Sequence, residues 1–166
     1  MIFATVGTHH EGFPRMLAAL SSLGDGEALD VQFGNGVVPP NASAARDYYS
    51  FGEMAERFAA ARIVVTHAGV GSILLAIRAG HVPIVLPRLK RFGEHVDDHQ
   101  VALARALEAD GHVVVCWETE QLPALVASAK DRSVVAKAAP TDRPIALAVA
   151  RALRGDSVGE HDVAVP

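Results

Sequence analysis

Cysteine occurs once in this 166-residue chain, at Cys116 within the apolar run Val113–Cys116. One thiol excludes an internal disulfide, so the sequence reads as that of a protein kept reduced, with a buried core thiol rather than a nucleophile. Long apolar runs are missing as well. The opening Met1-Ile-Phe-Ala-Thr-Val6 lacks the basic lead and the length of a signal peptide, and nothing approaches the roughly 18 residues of a membrane span. A strong excess of either charge is missing too: a net charge of -4 and a pI near 6.0 argue against binding nucleic acid or an anionic membrane through the overall field, while leaving a local basic patch open. Repeats, low-complexity blocks and Ser/Gly/Pro linkers are also absent, which implies one domain, about 70% of its unfolded surface buried.

Short β-branched runs alternate with stretches of helical period. Strands are expected over Ile2–Val6, Leu29–Phe33, Ala45–Tyr49, Ile63–Thr66, Pro83–Leu86 and Val113–Cys116, and continuous apolar runs of this length between helices read as buried parallel strands. Helices are expected around Phe13, Met16, Leu17, Leu20 and Leu23; around Phe51, Met54, Phe58 and Ala59 after the capping box Ser50-Phe-Gly-Glu53; over Ser72–Ala79, Asp98–Ala109 and Leu122–Ala129; and over Ile145–Leu153. The alternation predicts an α/β domain with one doubly wound, mostly parallel sheet over residues 1–154, followed by a mobile tail over 155–166.

In such a sheet, ligands bind outside the carboxyl ends of the strands, so the loops after Val6, Phe33, Thr66 and Leu86 matter most. The first holds Gly7-Thr8-His9-His10-Glu11-Gly12, either a turn in which Thr8 begins a cap or a phosphate-facing edge. The third holds His67, Gly69, Gly71 and Ser72. Its glycines let backbone approach a ligand, and the next helix start carries roughly half a positive charge, although Ser72 can serve merely as a cap. The fourth holds Arg88, Lys90 and Arg91, then Glu94-His-Val-Asp97-Asp98-His99-Gln100. Arg88 has the fork geometry for a phosphate, Asp97 and Gln100 are spaced as a helix-start pair, and His99 and Gln100 can both donate to and accept from sugar hydroxyls. A metal site on His95, Asp98 and His99 is disfavoured by the neighbouring Lys90 and Arg91, so no metal is expected.

His67-Ala-Gly-Val-Gly-Ser72, the Gly80-x-x-Pro83 step, Pro87-Arg88 and Asp97-Asp-His-Gln100 resemble the C-terminal, donor-binding domain of family 28 glycosyltransferases, one half of a GT-B fold. The start, Ile2 to His9, and the loop Pro87–Gln100 look most like small bacterial exopolysaccharide and capsule transferase subunits. They are similar in turn to the soluble subunit of the N-glycan-precursor N-acetylglucosaminyltransferase. The resemblance implies an inverting transferase that moves a hexosyl unit from a UDP-sugar to a lipid-linked saccharide. It implies no cofactor, and a membrane-associated partner that supplies the acceptor half and recruits a cytoplasmic chain to the membrane's inner face. It puts Gly7, Thr8, His67, Gly69, Gly71, Ser72, Arg88, Asp98, His99 and Gln100 at the donor. Where relatives carry a ribose-gripping glutamate this chain has Leu75, so either the ribose is held elsewhere, by His99 and Gln100 or Glu94, or nucleotide binding is weakened. His9 is the in-chain candidate for the general base, unless the partner supplies it. Two other readings stay open: a non-catalytic nucleotide-sugar-binding or activating subunit, and an unrelated nucleotide-binding α/β module.

Overall fold

The computed structural model describes residues 1–136 and 149–150. Strands β1 (Ile2–Thr5), β2 (Leu29–Gln32), β3 (Ala44–Arg46), β4 (Ile63–His67), β5 (Ile84–Leu86) and β6 (Val114–Val115) form one sheet in the order β3-β2-β1-β4-β5-β6, every pairing parallel. Helices α1 (Pro14–Ser21), α2 (Phe51–Ala60), α3 (Val70–Arg78), α4 (His99–Ala109) and α5 (Leu122–Ala136) cover both faces. Alternate strand residues point to opposite sides, and both sides are apolar, as a parallel sheet buried on both faces requires. Ile2, Ala4, Leu29, Val31, Ile63 and Val65 pack under α1 and α5. On the other face, Phe3 and Val64 meet Phe58 and Ala76, while Val85 and Val115 meet Leu103 and Leu107.

Each expected strand is present, though most are shorter than the apolar run that announced them. Tyr49 leaves its strand to pack edge-on against Phe3 and to donate to Asp30 at 2.8 Å. The capping box at Ser50 and Glu53 forms in both directions. Three helix starts differ from expectation. Phe13 precedes α1, which opens on Pro14, whose missing N–H costs nothing there. Helix α3 begins at Val70, so Ser72 lies inside its first turn and is not its cap. Helix α4 begins at His99, with Asp98 before it. The expected helix over Ile145–Leu153 falls outside the described residues except at 149–150, which are helical, and the tail at 155–166 lies outside them altogether.

Candidate functional site

The strand order reverses between β1 and β4, and a crevice opens there at their carboxyl ends. His67 closes β4, and its ring lies between Gly7 and Gly69, where a Cβ on either glycine would collide with it. Gly7 also adopts φ +80°, a conformation that side chains disfavour. These glycines therefore make room for an imidazole, not for a ligand as the sequence alone implied. Gly71 has open space around it, in the first turn of α3. The N–H groups of Val70, Gly71 and Ser72 have no partner within the helix, so the end of α3 facing the crevice is electropositive.

Although part of His67 reaches the surface, its ring is enclosed. Burial and the nearby Arg88 cation lower its pKa to about 4, so it is neutral at physiological pH. His9 stacks on His10 at 4.5 Å and lies 5.0 Å from the ring of His95. Burial, then His10 and Arg88, lower the His9 pKa, against a smaller raising effect of Glu11. A base at this position would be uncharged and ready to take a proton.

Arg88 is not exposed at the loop surface. It is fully buried, and its guanidinium donates to the carbonyl oxygens of Val6, Glu11, Gly12 and Glu94 at 2.9–3.1 Å while lying 4.6 Å from the Phe13 ring centre. The expectation that Arg88 forks onto a phosphate is thus corrected. The side chain clamps the β1–α1 loop to the loop after β5, and its charge reaches the crevice only through space. Glu94 is likewise committed: it is buried, and its carboxylate takes Arg15 through two bonds of 2.9 Å and the Leu89 N–H, so both oxygens are already engaged. The Gly7 amide, expected to face a phosphate, donates to Thr5 Oγ1 at 3.1 Å, while Thr8 is exposed.

The polar run before α4 also folds on itself. Asp97 accepts from the His99 N–H and pairs with both His95 and His99 rings, at 3.1 and 2.7 Å. Gln100 takes the Arg88 N–H instead of returning to Asp97. Asp98 accepts from the Lys90 N–H. Of this run, His99 stays exposed at the surface, 74% accessible. Leu75 packs on the apolar cluster beside α2. No set of three metal-ligating side chains converges among the described residues.

Sequence reasoning missed a second arrangement. Thr66, Thr5, Gln32 and Arg46 sit side by side in register across β4, β1, β2 and β3, one polar row just below the carboxyl edge. Above it, Thr8, His9, Gln32, Asn35, Asp47 and Tyr48 surround a cavity of about 160 Å³. The signal was there: β1 and β2 each close on a polar residue, Thr5 after Ala4 and Gln32 after Val31.

Residues 23–149 match the glycosyltransferase family 28 C-terminal domain, more than two thirds of the chain. The chain belongs to glycosyltransferase family 28. Among relatives of this family member are two proteins each named UDP-N-acetylglucosamine transferase subunit ALG13. The Yarrowia lipolytica protein is 33% identical over 70 residues, 42% of this chain and 34% of its own length. The Homo sapiens protein is 30% identical over 127 residues, 69% of this chain and 11% of its own length. The family 28 chain therefore spans about a third of the first relative and about a tenth of the second. In structure it resembles the kitacinnamycin glycotransferase, with TM-score 0.58 and 16% identity over 93% of this chain and 42% of that one. It also resembles Acinetobacter baumannii MurG, with TM-score 0.56 and 20% identity over 92% of this chain and 49% of that one. These likenesses establish the fold, one Rossmann-like half of a GT-B fold. No helix among the described residues is long and apolar enough to cross a membrane.

Proposed function

We propose that this chain is the donor-binding subunit of an inverting glycosyltransferase, transferring a hexosyl unit from a UDP-sugar to a lipid-linked saccharide in exopolysaccharide or related glycan synthesis. The observation that carries the reading is the open amino end of α3, facing the crevice between β1 and β4 beside a neutral His67 and above the buried Arg88 charge. Departure of UDP leaves negative charge on its terminal phosphate. Helix-end N–H groups and a fixed cation beneath them stabilise that charge without a metal ion. The acceptor hydroxyl must lose a proton, and His9 is the candidate base on this chain.

A GT-B cleft has two walls, and this domain supplies one. A membrane-associated partner would hold the lipid-linked acceptor in line, a contribution worth several kcal/mol that the chain alone lacks. The relatives named as transferase subunits support the two-chain reading. The test is calorimetric titration of the purified chain with UDP, UDP-sugars and other nucleoside diphosphates, followed by transfer assays with and without the partner and with and without EDTA. Binding of UDP, and transfer that needs the partner and survives EDTA, are expected. Transfer by the chain alone at an ordinary enzymatic rate overturns the subunit reading. Loss with EDTA that magnesium or manganese restores overturns the metal-free one.

A further inference from the structure

His9 Nδ1 faces two groups of one residue, and they favour opposite states of the ring. The Glu11 N–H donates to it at 3.3 Å, while Glu11 Oε2 stands 3.7 Å away. A single ring nitrogen cannot accept from the first and donate to the second. The N–H selects the neutral ring with its proton on Nε2, and the carboxylate selects the ring with its proton on Nδ1. Glu11 Oε2 is closed to solvent and makes no hydrogen bond among the described residues, a costly state for a carboxylate oxygen unless a donor comes to it. The other oxygen of Glu11 lies 3.8 Å from Nε2 of the exposed His10. The backbone beneath the pair is held in place: Arg88 donates to the carbonyl oxygens of Glu11 and Gly12, and Asn35 donates to that of His10.

We propose that Glu11 is a positioning residue for His9: its buried carboxylate oxygen draws the imidazole proton to Nδ1 and so leaves Nε2 as the basic nitrogen for the acceptor hydroxyl. The inference rests on the transfer reaction proposed above. A bond to a charged oxygen is roughly twice as strong as one between neutral groups, so the carboxylate outweighs the long backbone contact once the ring crosses the remaining gap of about 1 Å. His9 is 30% accessible, which leaves room for that swing. In the step itself, the acceptor oxygen bonds to the anomeric carbon as the bond from that carbon to the terminal phosphate oxygen breaks, its electron pair leaving with UDP. The hydroxyl proton passes to His9 Nε2. The resulting imidazolium donates Nδ1–H to Glu11 without passing that proton over, and later gives the Nε2 proton to solvent. Around the ring, His10, Arg88 and His95 disfavour a positive charge on it, His67 is neutral, and Asp47 and Tyr48 lie across the cavity; Glu11 favours the charge.

The test is nitrogen–proton NMR of the isotope-labelled histidines of the full chain from about pH 5 to 9, together with transfer kinetics of the chain and its partner. In the parent, neutral His9 is expected to carry its proton on Nδ1. Glu11→Met removes the carboxylate but keeps the backbone N–H, so the proton is expected on Nε2 in that variant. Its kcat should fall at least roughly tenfold with KM for the UDP-sugar unchanged. The acid limb of its pH profile should also move to lower pH, because the carboxylate raises the proton affinity of the ring. A role confined to folding would lower kcat without moving that limb. The parent spectrum needs no variant: a neutral His9 with its proton on Nε2 overturns the proposal even where Glu11→Met does not fold. An unmoved acid limb in folded Glu11→Met overturns it as well. If the His9 proton answers to Glu11 as expected but the parent pair transfers no sugar, the transferase reading fails and the positioning of His9 by Glu11 stands.

Discussion

The loop from Pro87 to Gln100 and the paired segments Gln32–Asn35 and Asp47–Tyr48 stand on the same edge of the sheet, yet they use their polar groups in opposite ways. The first is dense in charge; Lys90 and Arg91 stay at the surface, but the buried and half-buried groups are consumed internally: Arg88 by four carbonyls, Glu94 by Arg15 and Leu89, Asp97 by two histidines. The second is sparse in charge and keeps an unspent amide beside a cavity. A charged side chain therefore marks a binding site only after its partners have been counted. A buried ion costs far more without partners than a buried amide, so the fold must satisfy the ion first.

Removing Arg88 probes the contrast most severely. Arg88→Ala should cost about 3–5 kcal/mol, because four carbonyl oxygens, those of Val6 and Glu94 in buried bonds, lose their donor and a cavity opens over Phe13. A denaturant midpoint reads this directly. A variant that stayed as stable as the parent while losing UDP affinity would return Arg88 to the list of ligands and break the comparison.

His67, at the seam between the two regions, sharpens it through pH. Its pKa is about 4 when folded and about 6.5 when exposed, so the folded state prefers the neutral ring. That stability is fully present above pH 6.5 and is lost as pH falls toward 4, up to about 3 kcal/mol. A second loss follows from pH 4.5 toward 2, where Glu27, whose pKa the Arg62 hydrogen bond lowers to about 2, takes up its proton. Stability curves of the parent and His67→Gln should differ in the upper window and run parallel in the lower one. Identical curves would mean the ring is not enclosed.

A methyl group added at Gly69 should cost about 1–3 kcal/mol, since it meets the His67 ring. The same change at Gly71, which faces open space, should not lower stability by that route, and Ala there favours the helix. Equal losses at both would show that the glycines serve the backbone and not the imidazole. The smallest effect belongs to the exposed groups: His99→Ala and Tyr48→Ala should each move stability by less than about 0.5 kcal/mol, measured by thermal melting.

Much of the architecture was legible. Ile2–Thr5 and Ile63–His67 open as apolar, β-branched runs, Leu29–Gln32 alternates apolar with polar residues, and Ser50 with Glu53 encodes its own helix start. The family was legible in the motif from His67 to Gln100. What escaped were partnerships across long separations. That Arg88 would reach Val6, 82 residues away, depends on two loops meeting over the sheet, and no local pattern carries it. Glu94 and Arg15, 79 residues apart, are hidden in the same way. Whether the Gly7 amide faces outward or bonds Thr5 depends on how the chain turns as it leaves β1, which sequence permits but does not dictate.

The central place of β1 bears on how the chain is made. Residues 2–5 leave the ribosome before their partners and pair on one side with residues 29–32 and on the other with residues 63–66. Their second flank stays open until β4 has been synthesised, and at about 5–20 residues per second that interval lasts several seconds. Throughout it an apolar strand with a free hydrogen-bonding edge is available to neighbouring nascent chains. Expression temperature and translation speed across residues 6–62 should therefore affect soluble yield more than changes at the finished surface.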